Sequence, residues 1–146
     1  AFGYHGHSIE LPDYAWHASF MQTGGDEYGL SEELLKKALP LLFPRQTASV
    51  SLRLGDLIIV GVPGEMAADL GLEVKAETAR ITGAKHPTVG GLADAWISYI
   101  LSEEAYRRGG YEASVSFYGP TLGRAIVTGA LEGTKPLRSS GGTPSR

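Results

Sequence analysis

Apolar positions change their period along the chain, and the changes mark out elements. In "LSEELLKKALPLLF" the residues Leu34, Leu35 and Ala38 supply an apolar helix face behind Ser31, a natural N-cap, with Glu33 close behind it. Pro40 is expected to bend or end that helix. In "ASVSLRL" the period drops to two: Val50, Leu52 and Leu54 alternate with Ser51 and Arg53, the mark of a strand with one wet face. Gly55-Asp56 offers a two-residue turn with glycine first, suited to a type II′ hairpin. Leu57 to Val62 is continuously apolar and rich in β-branched residues, as in a strand covered on both faces, and Pro63-Gly64 stops it.

From Glu65 the period lengthens again. Met66, Leu70 and Val74 recur every four residues, while Asp69, Glu73, Glu77 and Arg80 lie on other faces, which predicts an amphipathic helix from Glu65 to about Gly83. A short strand over Thr88–Leu92 follows and runs into a glycine-rich loop; "SEEAYRRGG" reads as a short capped helix with a Gly-Gly stop. "GPTLGRAIVTGALEG" reads as a last helix with Pro120 near its first turn. Residues 1–30 read as loop with at most one short strand, and residues 138–146 as a flexible tail after a unit spanning 1–137. Strand, helix, strand, helix in that order predicts an α/β fold, a layered sheet with covering helices.

Composition narrows the functional classes. Of 146 residues, 42% are hydrophobic and 20% charged, enough for a packed core, and the net charge of −3 with no basic block argues against nucleic acid as a partner. Without cysteine there is no disulfide, thiolate metal site or Cys nucleophile. No apolar run approaches a membrane span, and the first residues lack the basic and apolar regions of a signal peptide. The chain opens on Ala1 rather than methionine, as expected of a stretch taken from a longer polypeptide.

The placement of Glu65 raises the chemical question. An acid in the first turn of a helix is stabilised by the helix dipole by about 0.3–1 kcal/mol, which alone would explain it. Alternatively, the end of a buried strand in an α/β sheet is where ligand crevices form, and a carboxylate there is placed to hold a metal or act as a base. Trp96 and Tyr99 follow a glycine-rich strand end and could overhang the same crevice, or be plain core and rim aromatics. Tyr118 is expected to bury its ring and find a partner for its hydroxyl. His5 and His7 would share a face if their segment is a strand, but zinc needs further ligands and His17 is only a candidate third. His86, before a proline, reads as turn material.

Taken together, "LGDLIIVGVPGEMAADLG" and "GLADAWISYILSEEAYRRGGYEASVSFYGPTL" resemble the neutral/alkaline (non-lysosomal) ceramidases. The former stretch is similar to that family's strand, Pro-Gly-Glu and helix. The latter is similar to its Gly-Leu, Asn, Tyr-Thr-His-Tyr, Glu-Glu-Tyr, Tyr-Glu-Ala-Ser and Tyr-Gly-Pro series, in the same order. The likeness covers roughly residues 50–131. It implies the C-terminal part of a ceramidase-like catalytic domain, which hydrolyses the amide of ceramide at a zinc ion held by two His, one Glu and one Tyr. By resemblance, Glu65 and Tyr99 are the metal ligands this chain supplies, and Trp96, standing where the family has tyrosine, lines the substrate pocket; no purely catalytic residue is assigned.

Departures from the family limit what carries over. Its upstream histidine motifs and serine-bearing substrate motif have no counterpart here, its basic pair is replaced by Leu72-Glu73, and its Asn by Asp94. Two ligands alone do not hold a catalytic zinc, so the isolated chain is expected to be inactive, its partners being ceramide or another N-acyl lipid and the missing N-terminal part of the catalytic domain. Membrane contact, if peripheral, would come through segments absent here, and a secreted or periplasmic location is implied by the resemblance alone. The alternative is a non-catalytic, ceramidase-like interaction or scaffold module that keeps the strand–Glu–helix frame without the chemistry.

Overall fold

A computed structural model describes residues 1–93 and 95–138; Asp94 and most of the predicted tail (139–146) lie outside the described residues. The chain opens with strand β1, Phe2–Glu10, which at nine residues is longer than the one short strand expected at most in this region. A short helix α1, Ala18–Phe20, runs into a π-helical turn at Met21–Gly25. Helix α2, Glu32–Leu42, follows, with Ser31 accepting from the Leu34 amide as its N-cap. Strands β2 (Gln46–Leu54) and β3 (Leu57–Gly61) form the expected hairpin; Leu54 faces Leu57, and Gly55 takes the positive φ that the turn's first position needs. After β3 come the two-residue strand β4 (Glu65–Met66), helix α3 (Ala68–Thr82), strand β5 (His86–Gly90) and strand β6 (Tyr99–Ile100). Helices α4 (Glu103–Arg108), α5 (Tyr111–Ser114) and α6 (Leu122–Thr134) complete the fold with a 3₁₀ turn at Lys135–Leu137.

The α/β class is as expected. Four strands form a sheet in the order β1-β2-β3-β5, antiparallel except for the parallel β3–β5 pair that α3 connects, and β4 pairs β6 in a separate parallel ribbon. Helices α3 and α6 pack on one face of the sheet, where Ile58 and Val60 of β3 meet Leu70 and Val74 of α3 and Ile126, Val127 and Ala130 of α6, all buried. A second cluster gathers Leu35 and Leu39 of α2 with Phe117 and the half-buried rings of Trp16, Phe20 and Phe43.

Several expectations are corrected. Pro40 lies inside α2, which continues to Leu42; so near the end its missing N–H removes a single helical bond, and buried Leu39 anchors that turn. His86 begins β5 instead of a turn. The largest correction concerns β2. Its alternation is real, but Thr47, Ser49, Ser51 and Arg53 point to the helices and are buried, while Ala48, Val50 and Leu52 are half-exposed and Leu54 is 46% exposed. The hairpin register is the cause. Ser51 faces Val60 and Arg53 faces Ile58, so both share the helix side with those core residues, whereas Leu52 and Leu54 go with Ile59 and Leu57 to the other side. By the same geometry β3 is fully covered on one face only.

Buried Arg53 finds its partners in backbone oxygens. Its Nη1 donates to the carbonyls of Thr82, at the end of α3, and Leu137, at 3.1 and 2.7 Å, and its Nε to that of Gly55 at 2.9 Å. A cation there also meets the negative end of the α3 dipole.

Candidate active site

Glu65 is not in the first turn of a helix. It sits in β4, two residues before the N-cap of α3, and the acid of that helix's first turn is Asp69. The dipole explanation of Glu65 therefore fails, because the backbone there is extended and paired to β6. Glu65 lies in register with Tyr99, and Met66 with Ile100. Adjacent parallel strands lie about 4.8 Å apart and in-register side chains leave on the same side, so the carboxylate and the phenol are neighbours. Glu65 is exposed and Tyr99 half-buried. Burial pushes the Tyr99 phenol above its ordinary value near 10, and the Glu65 carboxylate adds to this by repelling a phenolate and by accepting from the hydroxyl; Tyr111 and Glu112 act in the same direction.

The ribbon stands beyond the carboxyl ends of β3 and β5, where crevices form in such sheets. Main-chain bonds fix it there: Glu65 N donates to Ser98 O at 3.1 Å, Ala67 N to Ile100 O at 2.9 Å, and Ile97 N to Pro63 O at 2.8 Å. Gly64 is needed for this approach, since a Cβ on it would lie 2.4 Å from Ser98 O. Ser98 itself is held at φ +83, a left-handed value that is costly for a residue with a side chain, and its buried hydroxyl has no partner among the described residues. The strain sits between the two residues of interest. From the far side, Ser116 Oγ donates to Tyr99 O at 2.9 Å and Ser114 Oγ to Tyr111 O at 2.6 Å, while the Tyr99 and Tyr111 rings meet edge to face at 5.9 Å. The Tyr-Glu-Ala-Ser stretch thus serves as a brace for Tyr99.

Trp96 is 55% exposed and stands 6.0 Å from the Phe43 ring, at the edge of the second cluster, so it is free to present an apolar surface to solvent or a ligand. Tyr118 is buried as expected, and its hydroxyl donates to Pro44 O at 2.7 Å. His5 and His7 do share a face of β1, the helix side, but His17 lies elsewhere, capping α1 and meeting the Tyr106 ring edge to face. His7 borders a hollow between β1 and α6 that also involves Glu10, Leu70, Arg124 and Glu132; neither Glu65 nor Tyr99 lines it. Glu73, where the family's basic pair is lost, makes a two-point ion pair with Arg124 that ties α3 to α6.

A carboxylate and a phenol are oxygen donors that suit zinc as members of a larger set. Among the described residues no group of three His, Cys, Asp or Glu side chains comes together to hold a metal ion, so the pair fits as half of such a set. Sequence reasoning missed Ser98 and the bracing role of Ser116, for neither has a local signal: one is marked by its φ, the other by a bond across 17 residues.

No family model matches the chain. It is 30% identical over 71 residues to neutral ceramidase of Pseudomonas aeruginosa, 33% over 108 residues to neutral ceramidase A of Dictyostelium discoideum and 30% over 98 residues to neutral ceramidase 1 of Arabidopsis thaliana. These matches cover 47%, 62% and 61% of this chain and 11%, 15% and 12% of those proteins. In fold, the chain is similar to the crystal structure of the Pseudomonas aeruginosa neutral ceramidase, with a TM-score of 0.73 at 17% identity over 94% of this chain and 28% of the other. It is also similar to a ceramidase complexed with C2, with a TM-score of 0.68 at 14% identity over 94% of this chain and 30% of the other. The resemblance to the neutral ceramidases is thereby borne out for a segment of their length, and the α/β fold is theirs. Among the described residues no helix is long and apolar enough to cross a membrane.

Proposed function

We propose that this chain carries part of the active site of a zinc-dependent amidohydrolase acting on ceramide or a related N-acyl lipid. What carries the reading is the in-register pairing of Glu65 with Tyr99 beyond the carboxyl ends of β3 and β5, in a chain similar to the neutral ceramidases. Glu65 offers a fixed anionic oxygen from a strand whose position Gly64 and Ser98 determine. Tyr99 offers a phenol that keeps its proton on Oη beside that carboxylate. Zinc, when bound, acidifies water and polarises a carbonyl, which an unactivated amide requires. Trp96 supplies an exposed ring against which an acyl chain can lie, with the Phe43 ring beside it. The remaining ligands and the rest of the pocket come from outside the described residues, so the 146-residue chain alone is inactive.

The test uses the polypeptide translated from the whole reading frame that contains this chain. Glu65→Gln is expected to remove both bound zinc and hydrolysis of N-acyl-sphingosine, while Tyr99→Phe lowers both. Full activity in the Glu65→Gln protein would overturn this reading of the site, and a parent polypeptide that neither binds zinc nor hydrolyses the amide would leave the non-catalytic module as the better account.

A further inference from the structure

A hollow of about 510 Å³ opens between α2 and the segment that follows β1, and neither Glu65 nor Tyr99 lines it. Two periodicities build its walls. Ala15 pairs with Tyr118 in a single β-bridge; its N–H donates to Phe117 O at 3.0 Å and its carbonyl accepts from Gly119 N at 3.1 Å. Tyr14 and Trp16 flank Ala15, so their rings leave this extended stretch on the same side. On α2, Lys36 and Leu39 are three positions apart and share a face. Leu39 is buried and gives the hollow an apolar base, while Lys36 is exposed at its rim. The Tyr14 ring is fixed from two directions. Its hydroxyl donates to Phe43 O at 2.6 Å, and the Arg45 guanidinium lies 5.0 Å over its face.

The charges of the lining decide what the hollow can take. Arg45 is already engaged: its Nη2 donates to Asp13 Oδ1 at 2.7 Å and its Nη1 to Pro12 O at 3.2 Å. Asp13 and Arg45 offset each other, which leaves Lys36 without an ion-pair partner among the described residues. The lining thus carries a surplus positive charge on a chain whose net charge is −3. We propose that this hollow binds an organic carboxylate, its apolar body against Leu39, Tyr14 and Trp16 and its charge on the Lys36 ammonium. Sites of this size take small molecules through apolar and aromatic walls with a few placed polar groups. One ammonium is a compact point charge. With no second unpaired cation in the lining and no free guanidinium fork, it matches a single negative charge better than a phosphate. An organic cation is disfavoured by the same residue, because Asp13 is taken by Arg45 and Lys36 repels it.

The 146-residue chain is titrated calorimetrically with decanoate, 2-naphthoate and decylamine, each below its micelle-forming concentration and in EDTA, so that no metal takes part. The two carboxylates distinguish an alkyl body from a ring, and the amine reverses the charge. Trp96→Phe leaves Trp16 as the sole tryptophan, whose emission then reports on the hollow itself. At least one carboxylate should bind at one site and shift that emission, with decylamine weaker by about tenfold or more. Lys36→Glu should weaken the carboxylate about tenfold, since an attractive charge at an exposed position gives way to a repulsive one. Lys37→Glu changes the net charge equally at the neighbouring exposed position. Lys37 does not line the hollow, so its replacement should alter affinity by less than about twofold in physiological salt. Far-ultraviolet circular dichroism checks that α2 persists in both variants. Failure of both carboxylates to bind, equal binding of the amine, an unmoved Trp16 emission, or equal losses from the two lysine variants would each overturn the proposal. Glu65 and Tyr99 play no part in these titrations, so the ceramidase-like reading stands or falls separately.

Discussion

Arg53→Met should destabilise the chain by about 3 kcal/mol, a figure that follows from its partners. The guanidinium is buried and donates to two carbonyls in the interior, Thr82 O and Leu137 O, and to Gly55 O at the rim of the hairpin turn. A net hydrogen bond from a charged donor is worth roughly 1.5–3 kcal/mol, and the rim carbonyl can turn to water, so two interior bonds set a loss of about 3–6 kcal/mol. Removing a buried cation returns part of this, since its desolvation penalty disappears and the methionine stem fills much of the space. The lower end of the range is therefore expected. Against a total stability of about 5–15 kcal/mol, that is a large share.

Urea unfolding followed by tryptophan fluorescence gives the number, with the midpoint shifting and the slope unchanged. At about 3 °C per kcal/mol for a chain of this size, the melting temperature should fall by roughly 10 °C. Arg53→Lys separates charge from geometry. A single ammonium cannot span the carbonyls that the planar fork reaches, so it should recover about half of the loss. An Arg53→Met protein within about 1 kcal/mol of the parent would refute the claim that this side chain ties β2 to the end of α3 and to the 3₁₀ turn.

Three further outcomes can be checked on the same chain. Gly64→Ala places a Cβ 2.4 Å from Ser98 O, so the β4–β6 ribbon must open; a cost of about 1–3 kcal/mol is expected, with the ultraviolet titration of Tyr99 moving back toward the ordinary phenol value as Glu65 draws away. Tyr118 is raised by burial well above 10, so the unfolded chain loses its proton first as pH climbs past 10; its stabilisation is complete below that pH and declines above it. Tyr118→Phe should give up about 1 kcal/mol at pH 7 with the bond to Pro44 O, yet lose stability less steeply as pH rises above about 10 in urea titrations. Glu73→Gln weakens the pair with Arg124, whose side chain is 65% exposed, and should cost at most about 1 kcal/mol, less still in molar salt; a larger effect would mean the α3–α6 contact depends on it.

Where the sequence could be read, the signal was local. Ser31 and Ser102 as caps, Gly83 as the residue that ends α3, and the Gly55-Asp56 turn all act within a few positions of themselves. Strand β1 was legible only as at most one short strand because its inward positions are Gly3, His5, His7 and Ile9, of which only the last is an ordinary core residue, so its apolar alternation is weak. Strand β4 escaped for a different reason. Two residues carry no period, and the ribbon exists because a strained Ser98 presents its carbonyl to Glu65 from 33 positions away.

The reversal of β2 connects these cases. Its alternation cannot say which face is buried, only that two faces differ, and the choice was made by β3 through the hairpin register. Had the polar face of β2 turned outward, Ile58 and Val60 would have turned with it and the contact with α3 and α6 would be lost. Among the described residues the hydroxyls of Thr47 and Ser51 find no partner inside, and Leu52 and Leu54 stay on the outer face, because Ile58 and Val60 take the helix side and the register carries the polar positions of β2 with them.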